Sequence, residues 1–166
     1  MKATMAALTL AVAIGSVMAG PPSKSPERLL GHYYLIQKSL ASDSISGVSA
    51  SAAQMADISR RAAATEPQAK TQLTALANAA AKLQATDLKS ARNGFGELSD
   101  GLIGYLKAAK AKRNPPYQFF CPMVKKNWLQ PEKEIRNPYY GSSMLKCGEL
   151  IQSDQTTGQH AEHNHH

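Results

Sequence analysis

Cysteine is scarce in this sequence, with two in 166 residues, and aromatic residues make up only 6% of it, including a single tryptophan. No C-x-x-C pair is present, which removes a thioredoxin-like redox site. No phosphate-cradling glycine loop, zinc-protease helix or G-x-S-x-G elbow occurs either. Nothing places a histidine beside Cys121, and Pro122 and Met123 are not activating neighbours for a nucleophile, so no enzyme activity is expected. Long hydrophobic runs are missing too. The one apolar run, from about Met5 to Met18, falls short of the roughly 20 residues that span a bilayer and contains Thr9, Gly15 and Ser16. No cysteine stands directly after it, so there is no signal for a lipid anchor.

What that run does fit is a secretory leader. Lys2 precedes it and Val17-Met18-Ala19 provides a small-residue exit, which predicts a signal peptide over residues 1–19 with cleavage near Ala19. The expected location is therefore periplasmic or secreted, without a stable membrane anchor. The remaining chain has the length of one ordinary domain. Its charge is basic, 19 Lys and Arg against 12 Asp and Glu, and Lys2 leaves with the leader. The bases are spread along the chain, and an exported protein seldom meets nucleic acid, so no nucleic-acid partner is expected. The local run Lys107–Arg113 reads as a solvated helix end whose charges suit the helix dipole.

Residues 20–114 predict four amphipathic helices. Ser25 as N-cap, Pro26 at the first helical position and Glu27 in the first turn mark the start of the first, and Asp43-Ser44 its end. Its stripe is Leu29, Tyr33, Ile36 and Leu40, with His32 just beside it. Residues 46–64 carry a weaker stripe of Val48, Ala52, Met55, Ile58 and Ala62. Glu66-Pro67 breaks the chain, and Leu73, Leu76, Ala80 and Leu83 line the third helix. Thr86 is expected to cap the fourth, which aligns Leu88, Ala91, Phe95, Leu98, Leu102 and Tyr105. Short connections favour antiparallel neighbours, so the expected fold is mainly α, an up-down four-helix bundle. Gly94, Gly96, Gly101 and Gly104 each weaken the fourth helix by up to about 1 kcal/mol relative to alanine. They read as places where another backbone or the C-terminal part packs closely.

After Asn114-Pro115-Pro116 the pattern changes. Residues 115–152 contain aromatics, prolines and the turn sequence Asn137-Pro138-Tyr139-Tyr140-Gly141, without a sustained helical stripe. An irregular Cys/Met-containing C-terminal module is expected there, packed on the bundle within the same domain, with one or two short strands such as Tyr117–Cys121. Residues 153–166 are polar and predict a disordered tail.

Both cysteines lie in this module, each near a methionine, as C-P-M at 121–123 and M-L-K-C at 144–147. Two thiolates and two thioethers are a soft donor set, which selects Cu(I) or Ag(I), with Zn(II) favoured only if harder ligands join. The candidate metal ligands are Cys121 and Cys147, with Met123 and Met144 secondary, and the Asn-Pro-Tyr-Tyr-Gly turn is suited to fold the second pair back onto the first. Trp128 is a candidate cap, since an indole face over a cuprous ion contributes a cation–π contact. Its other reading is an anchor, with Leu129, of the module on the helices. The competing account of the cysteines is a Cys121–Cys147 disulfide, with the methionines as gap-filling apolar residues. Such a bridge stabilises by about 3.5 kcal/mol on the chain-entropy model. The protein would then be a disulfide-stapled helical interaction module that docks a partner through the bundle surface, Tyr139 and Tyr140, with no metal role.

The run F-C-P-M (120–123), W-L (128–129), E-I-R-N-P-Y-Y-G (134–141) and M-L-K-C-G (144–148) resembles a bacterial family of exported proteins of unknown function. Its members also form the C-terminal domain of periplasmic adaptor subunits in heavy-metal efflux systems. The resemblance covers roughly residues 28–151, with weaker matches at Tyr34-Leu35-Ile36 and over 92–99. The gap between Met123 and Trp128 is shorter here than in that family. The resemblance implies copper or silver handling near efflux machinery, with Cys121, Met123, Met144 and Cys147 at matching positions and an efflux adaptor as partner.

Four of the five histidines, His160, His163, His165 and His166, fall in the last seven residues. Clustered neutral imidazoles bind Cu(II), Ni(II) or Zn(II). The tail is thus a secondary metal candidate, or a solvated segment with incidental affinity. Together these features lead to the expectation of an exported Cu(I)/Ag(I)-binding protein that buffers the ion or hands it on.

Overall fold

The computed structural model describes residues 24–111 and 116–151. The expected leader over 1–19 and the histidine tail lie outside the described residues. Four helices come first: α1 (Ser25–Ala41), α2 (Val48–Thr65), α3 (Lys70–Lys82) and α4 (Leu88–Ala108), with a 3-10 turn at Pro67–Ala69 leading into α3. Three strands follow, β1 (Tyr117–Cys121), β2 (Lys126–Gln130) and β3 (Glu149–Ile151).

The helices form where the apolar period is 3.6, and the buried faces are the expected ones. Leu29, Tyr33, Ile36 and Leu40 of α1 are enclosed, as are Val48, Ala52, Met55, Ile58 and Ala62 of α2. Leu73, Leu76 and Ala80 face inward from α3, and Ala91, Phe95, Leu98, Leu102 and Tyr105 from α4. Each helix packs on the next in sequence, and α4 also returns to α1.

The ends differ in detail from expectation. Helix α1 starts at Ser25 itself, with Lys24 in the N-cap position, so Ser25 is not the cap. It ends at Ala41, where Ser42 N–H donates to the Lys38 and Ser39 carbonyls and Asp43 takes a positive φ of 54°. Asp87, not Thr86, caps α4. Its carboxylate accepts from Ser90 N–H at 2.8 Å while Ser90 Oγ accepts from Asp87 N–H, a reciprocal capping box. A carboxylate also suits the positive end of the helix dipole better than the neighbouring hydroxyl.

Three of the four glycines in α4 permit close approach as expected, Gly94 among them, where a Cβ would lie 3.3 Å from Leu83 Cγ. A Cβ at Gly101 would lie 3.2 Å from Leu76 Cα of α3, and one at Gly96 would lie 3.4 Å from the aliphatic stem of Lys126 in β2. Gly104 departs from that reading, with nothing within 4 Å of its Cβ position.

The C-terminal region is not irregular. It forms an antiparallel three-stranded sheet in the order β2-β1-β3. Phe119 pairs with Trp128 and Cys121 with Lys126 on one side of β1, and Phe119 pairs with Leu150 on the other. Residues 122–125 close the β1–β2 hairpin, with Lys125 at a φ of 53°. Strand β3 has only three residues, all exposed. It is too short to carry a two-residue alternation, and so left no signal in the sequence.

Strand β2 rests on α4 and α1. An aromatic column joins sheet to helices. Phe119 stacks on Trp128 (centroids 5.2 Å apart), Trp128 meets Tyr139 edge-on (6.1 Å), Tyr139 meets Phe95 (5.5 Å), and Phe95 stacks on Tyr33 (5.1 Å). Such pairs add to simple area burial. At the far end, Tyr33 Oη shares a hydrogen bond with Ser99 Oγ and accepts one from Leu129 N–H. Because β2 is an edge strand, this hydroxyl satisfies a donor the sheet leaves open.

Candidate metal centre

Cys121 ends the central strand β1. It is fully enclosed, on the same side as Phe119, within the core shared with the helices. Its cross-strand neighbour Lys126 does not turn its ammonium toward the sulfur; Nζ donates to Asp100 at 2.6 Å. Cys147 is half-buried and immediately precedes Gly148 and β3. Phe120 pairs with Glu149, so one step further along the register brings Cys121 level with Gly148, beside Cys147. Both cysteines are free thiols.

Asn137 holds these two segments together, and it too is fully enclosed. Its Nδ2 donates to Cys121 Sγ at 3.3 Å and to the Cys147 carbonyl at 2.7 Å. Its Oδ1 accepts from Tyr139 N–H at 2.8 Å, an Asx turn. That bond fixes which end of the amide is oxygen, so the NH2 end faces the sulfur. The Asn137 backbone N–H donates to the Leu145 carbonyl, and its own carbonyl accepts from Gly141 N–H. The Asn-Pro-Tyr-Tyr-Gly turn thus folds the segment 144–147 back beside the end of β1.

A second clamp ties that turn to the helices. Arg92 of α4 donates to Asp43 Oδ1 at 2.6 Å, to the Leu40 carbonyl at the end of α1, and to the Pro138 carbonyl. Asp43 Oδ2 accepts from Ser142 N–H at 3.0 Å. The hydrogen bonds from Ser142, then those from Arg92, pull the Asp43 carboxyl down to about 2. Gly141, at a φ of 55°, sits directly against this pair; a Cβ there would lie 2.0 Å from Asp43 Oδ1. Only a glycine fits, which is the physical reason for the last residue of the turn motif.

The remaining candidates are placed less closely. Met123 is on the hairpin turn and 58% exposed, unlike the enclosed Cys121 two residues earlier. Met144 is half-buried, and its carbonyl accepts from Cys147 N–H at 3.0 Å. The arrangement therefore brings the two cysteines to one amide but leaves the Met123 thioether facing solvent. Among the described residues, no three or more His, Cys, Asp or Glu side chains converge as a metal cluster. His160, His163, His165 and His166 lie outside the described residues.

Trp128 is an anchor of the module. It is fully enclosed, its Nε1–H donates to Gln130 Oε1 at 2.9 Å, and its ring lies against Gly148, where a Cβ would be 2.4 Å from Cη2. Tyr139 corrects another expectation. It is 6% exposed, its hydroxyl donates to the Asn127 carbonyl at 2.6 Å, and burial pushes its phenol well above the usual range. It is a core residue and presents no surface for docking a partner. Tyr140 is half-buried.

Sequence reasoning passed over Asn137 as a site residue, although Asn before Pro signalled the turn. It also missed Gln130, which accepts from Trp128 and Arg136 N–H and donates to the Glu132 and Glu134 carbonyls. Polar residues in turns look alike in a sequence whether they are enclosed or not. Comparison with protein-family models, with curated proteins and with solved structures finds no match to this chain.

Proposed function

We propose that this chain is an exported soft-metal-binding protein that takes Cu(I) or Ag(I) as cargo and buffers it or passes it to an efflux adaptor. Cys121 and Cys147 are the primary thiolate ligands, with Met123 and Met144 secondary and the histidine tail collecting harder or oxidised ions. The observation that carries this reading is the shared Asn137 amide, which donates to the sulfur of Cys121 and to the backbone carbonyl of Cys147, so that two segments bearing free cysteines meet at one side chain. A donor aimed at sulfur is the kind of outer hydrogen bond that supports and orients a metal ligand. The exposed Met123 supplies a solvent-facing soft donor beside the buried one. In this reading the helices form an up-down bundle whose part is to present the sheet, since each packs on its sequence neighbour and α4 closes on α1.

The test is to reduce the protein without oxygen, add Cu(I) against a chelator of known affinity, and count thiols open to alkylation. Stoichiometric binding that protects both cysteines, and that persists after removal of the residues beyond Gly158, is the expected result. Met123→Leu with Met144→Leu should then weaken the cuprous affinity. Thiols that stay open beside added Cu(I) would end the proposal. The meeting of the two cysteine-bearing segments at Asn137 also favours a second reading, a Cys121–Cys147 staple, and thiols that close into a bridge no Cu(I) reopens would select it.

A further inference from the structure

Asn137 has every polar atom engaged, yet only part of that bonding is needed to make the turn. Its Oδ1, backbone N–H and carbonyl hold Tyr139, Leu145 and Gly141, and one Nδ2 hydrogen holds the Cys147 carbonyl. The second Nδ2 hydrogen is directed at Cys121 Sγ. We propose, resting on the metal reading above, that Asn137 is the positioning residue of the site: its NH2 group offsets the negative charge of the loaded sulfur pair and sets the separation of the two cysteines.

The charge argument is direct. Two thiolates around a monovalent ion carry a net charge of −1, and Cys121 lies where water does not reach it. Burying charge without a compensating donor is costly. The nearest cation along the strands, Lys126, is committed to Asp100. The donor that the described residues provide to Cys121 Sγ is the Asn137 amide. The geometric argument is that the same NH2 bonds the sulfur of one cysteine and the backbone of the other, so displacing it uncouples the two ligands. An aspartate of the same shape would present an oxygen where both acceptors need a hydrogen.

A double-mutant cycle on the intact, reduced chain tests this, with Ag(I) alone as the probe and a competing chelator to read affinity. Loss of an outer-sphere partner typically weakens metal binding by about 10–100-fold. Asn137→Asp should do so in the chain with Cys121, and should have less than about a twofold effect in the Cys121→Ser background, the limit expected of uncoupled sites. In the unaltered chain, the side-chain amide signals of Asn137 should move on addition of one equivalent of Ag(I). Equal losses in both backgrounds would overturn the proposal, because Asn137 would then act on the fold alone. Amide signals that do not move while Ag(I) binds would overturn it too. If Asn137→Asp fails to fold, the amide signals decide. An unaltered chain that binds no Ag(I) removes the metal reading itself and this proposal with it, a result distinct from either of the others.

Discussion

Gly148→Ala puts the packing of strand β3 to a direct test. Gly148 has a φ of 156°, which L residues rarely adopt, and a Cβ added there would lie 2.4 Å from Trp128 Cη2. Forcing such a backbone costs about 1–3 kcal/mol, and overpacking a filled core about 1–3 kcal/mol more. The indole cannot step aside cheaply, because it is fully enclosed, stacked on Phe119 and hydrogen-bonded to Gln130. The strand can. It has three exposed residues at the sheet edge, so its release should cost less than disturbing the ring. The substitution should therefore free β3 rather than unfold the protein. By amide hydrogen exchange, Glu149–Ile151 should lose about 30-fold or more in protection, the equivalent of about 2 kcal/mol of local stability. The β1–β2 ladder should keep its own protection. If β3 amides in the variant exchange as slowly as in the unaltered protein and the thermal midpoint does not move, the steric argument fails.

Gly104→Ala should have the opposite sign, since nothing lies within 4 Å of the added methyl group. Removing a glycine from a helix interior should stabilise by about 0.5–1 kcal/mol, read as a higher urea midpoint at constant slope. Tyr33→Phe should destabilise by about 1–3 kcal/mol, because it leaves Ser99 Oγ and Leu129 N–H without their buried partner. An unchanged midpoint would mean that water reaches this pocket. For Asp43, the carboxyl lies at about 2 in the folded chain against an ordinary 3.8. The unfolded chain binds more protons between those values, so the Asp43 contribution is full above about pH 4 and is lost as pH falls toward 2. Asp43→Asn should flatten that part of the stability profile, and identical profiles for the two proteins would refute the assignment.

The four helices were legible because each presents a stripe that only one face of a helix can bury. Positions such as Leu29, Tyr33, Ile36 and Leu40 are enclosed as their spacing requires. Ends were less legible, since Ser25, Thr86 and Asp87 are all competent caps by composition, and the choice depends on backbone angles that neighbouring contacts set. The hairpin strand β1 could be anticipated from its aromatic content, but β3 could not. Its pairing partner is about thirty residues away, and its three residues gain their conformation from β1 rather than from their own pattern. The cysteines and the turn between them were visible as a motif. That the turn asparagine meets Cys121 was not, because a contact between a buried amide and a sulfur leaves no periodic trace. Tyr139 misled for a related reason: an aromatic residue in a turn looks suited to docking a partner, whereas the Asn127 carbonyl satisfies its hydroxyl inside the core.

The aromatic column has one further consequence. Trp128 is the chain's only indole, so its emission is uncontaminated by any other. One edge faces Gly148, the residue after Cys147, and another faces Tyr139 two residues after Asn137. Its quantum yield and wavelength therefore report on the junction of β2, the turn and β3, and on little else. A label-free fluorescence titration can follow that junction through reduction, ion loading or release of the edge strand, with the tyrosines of the column feeding excitation energy into the same single emitter.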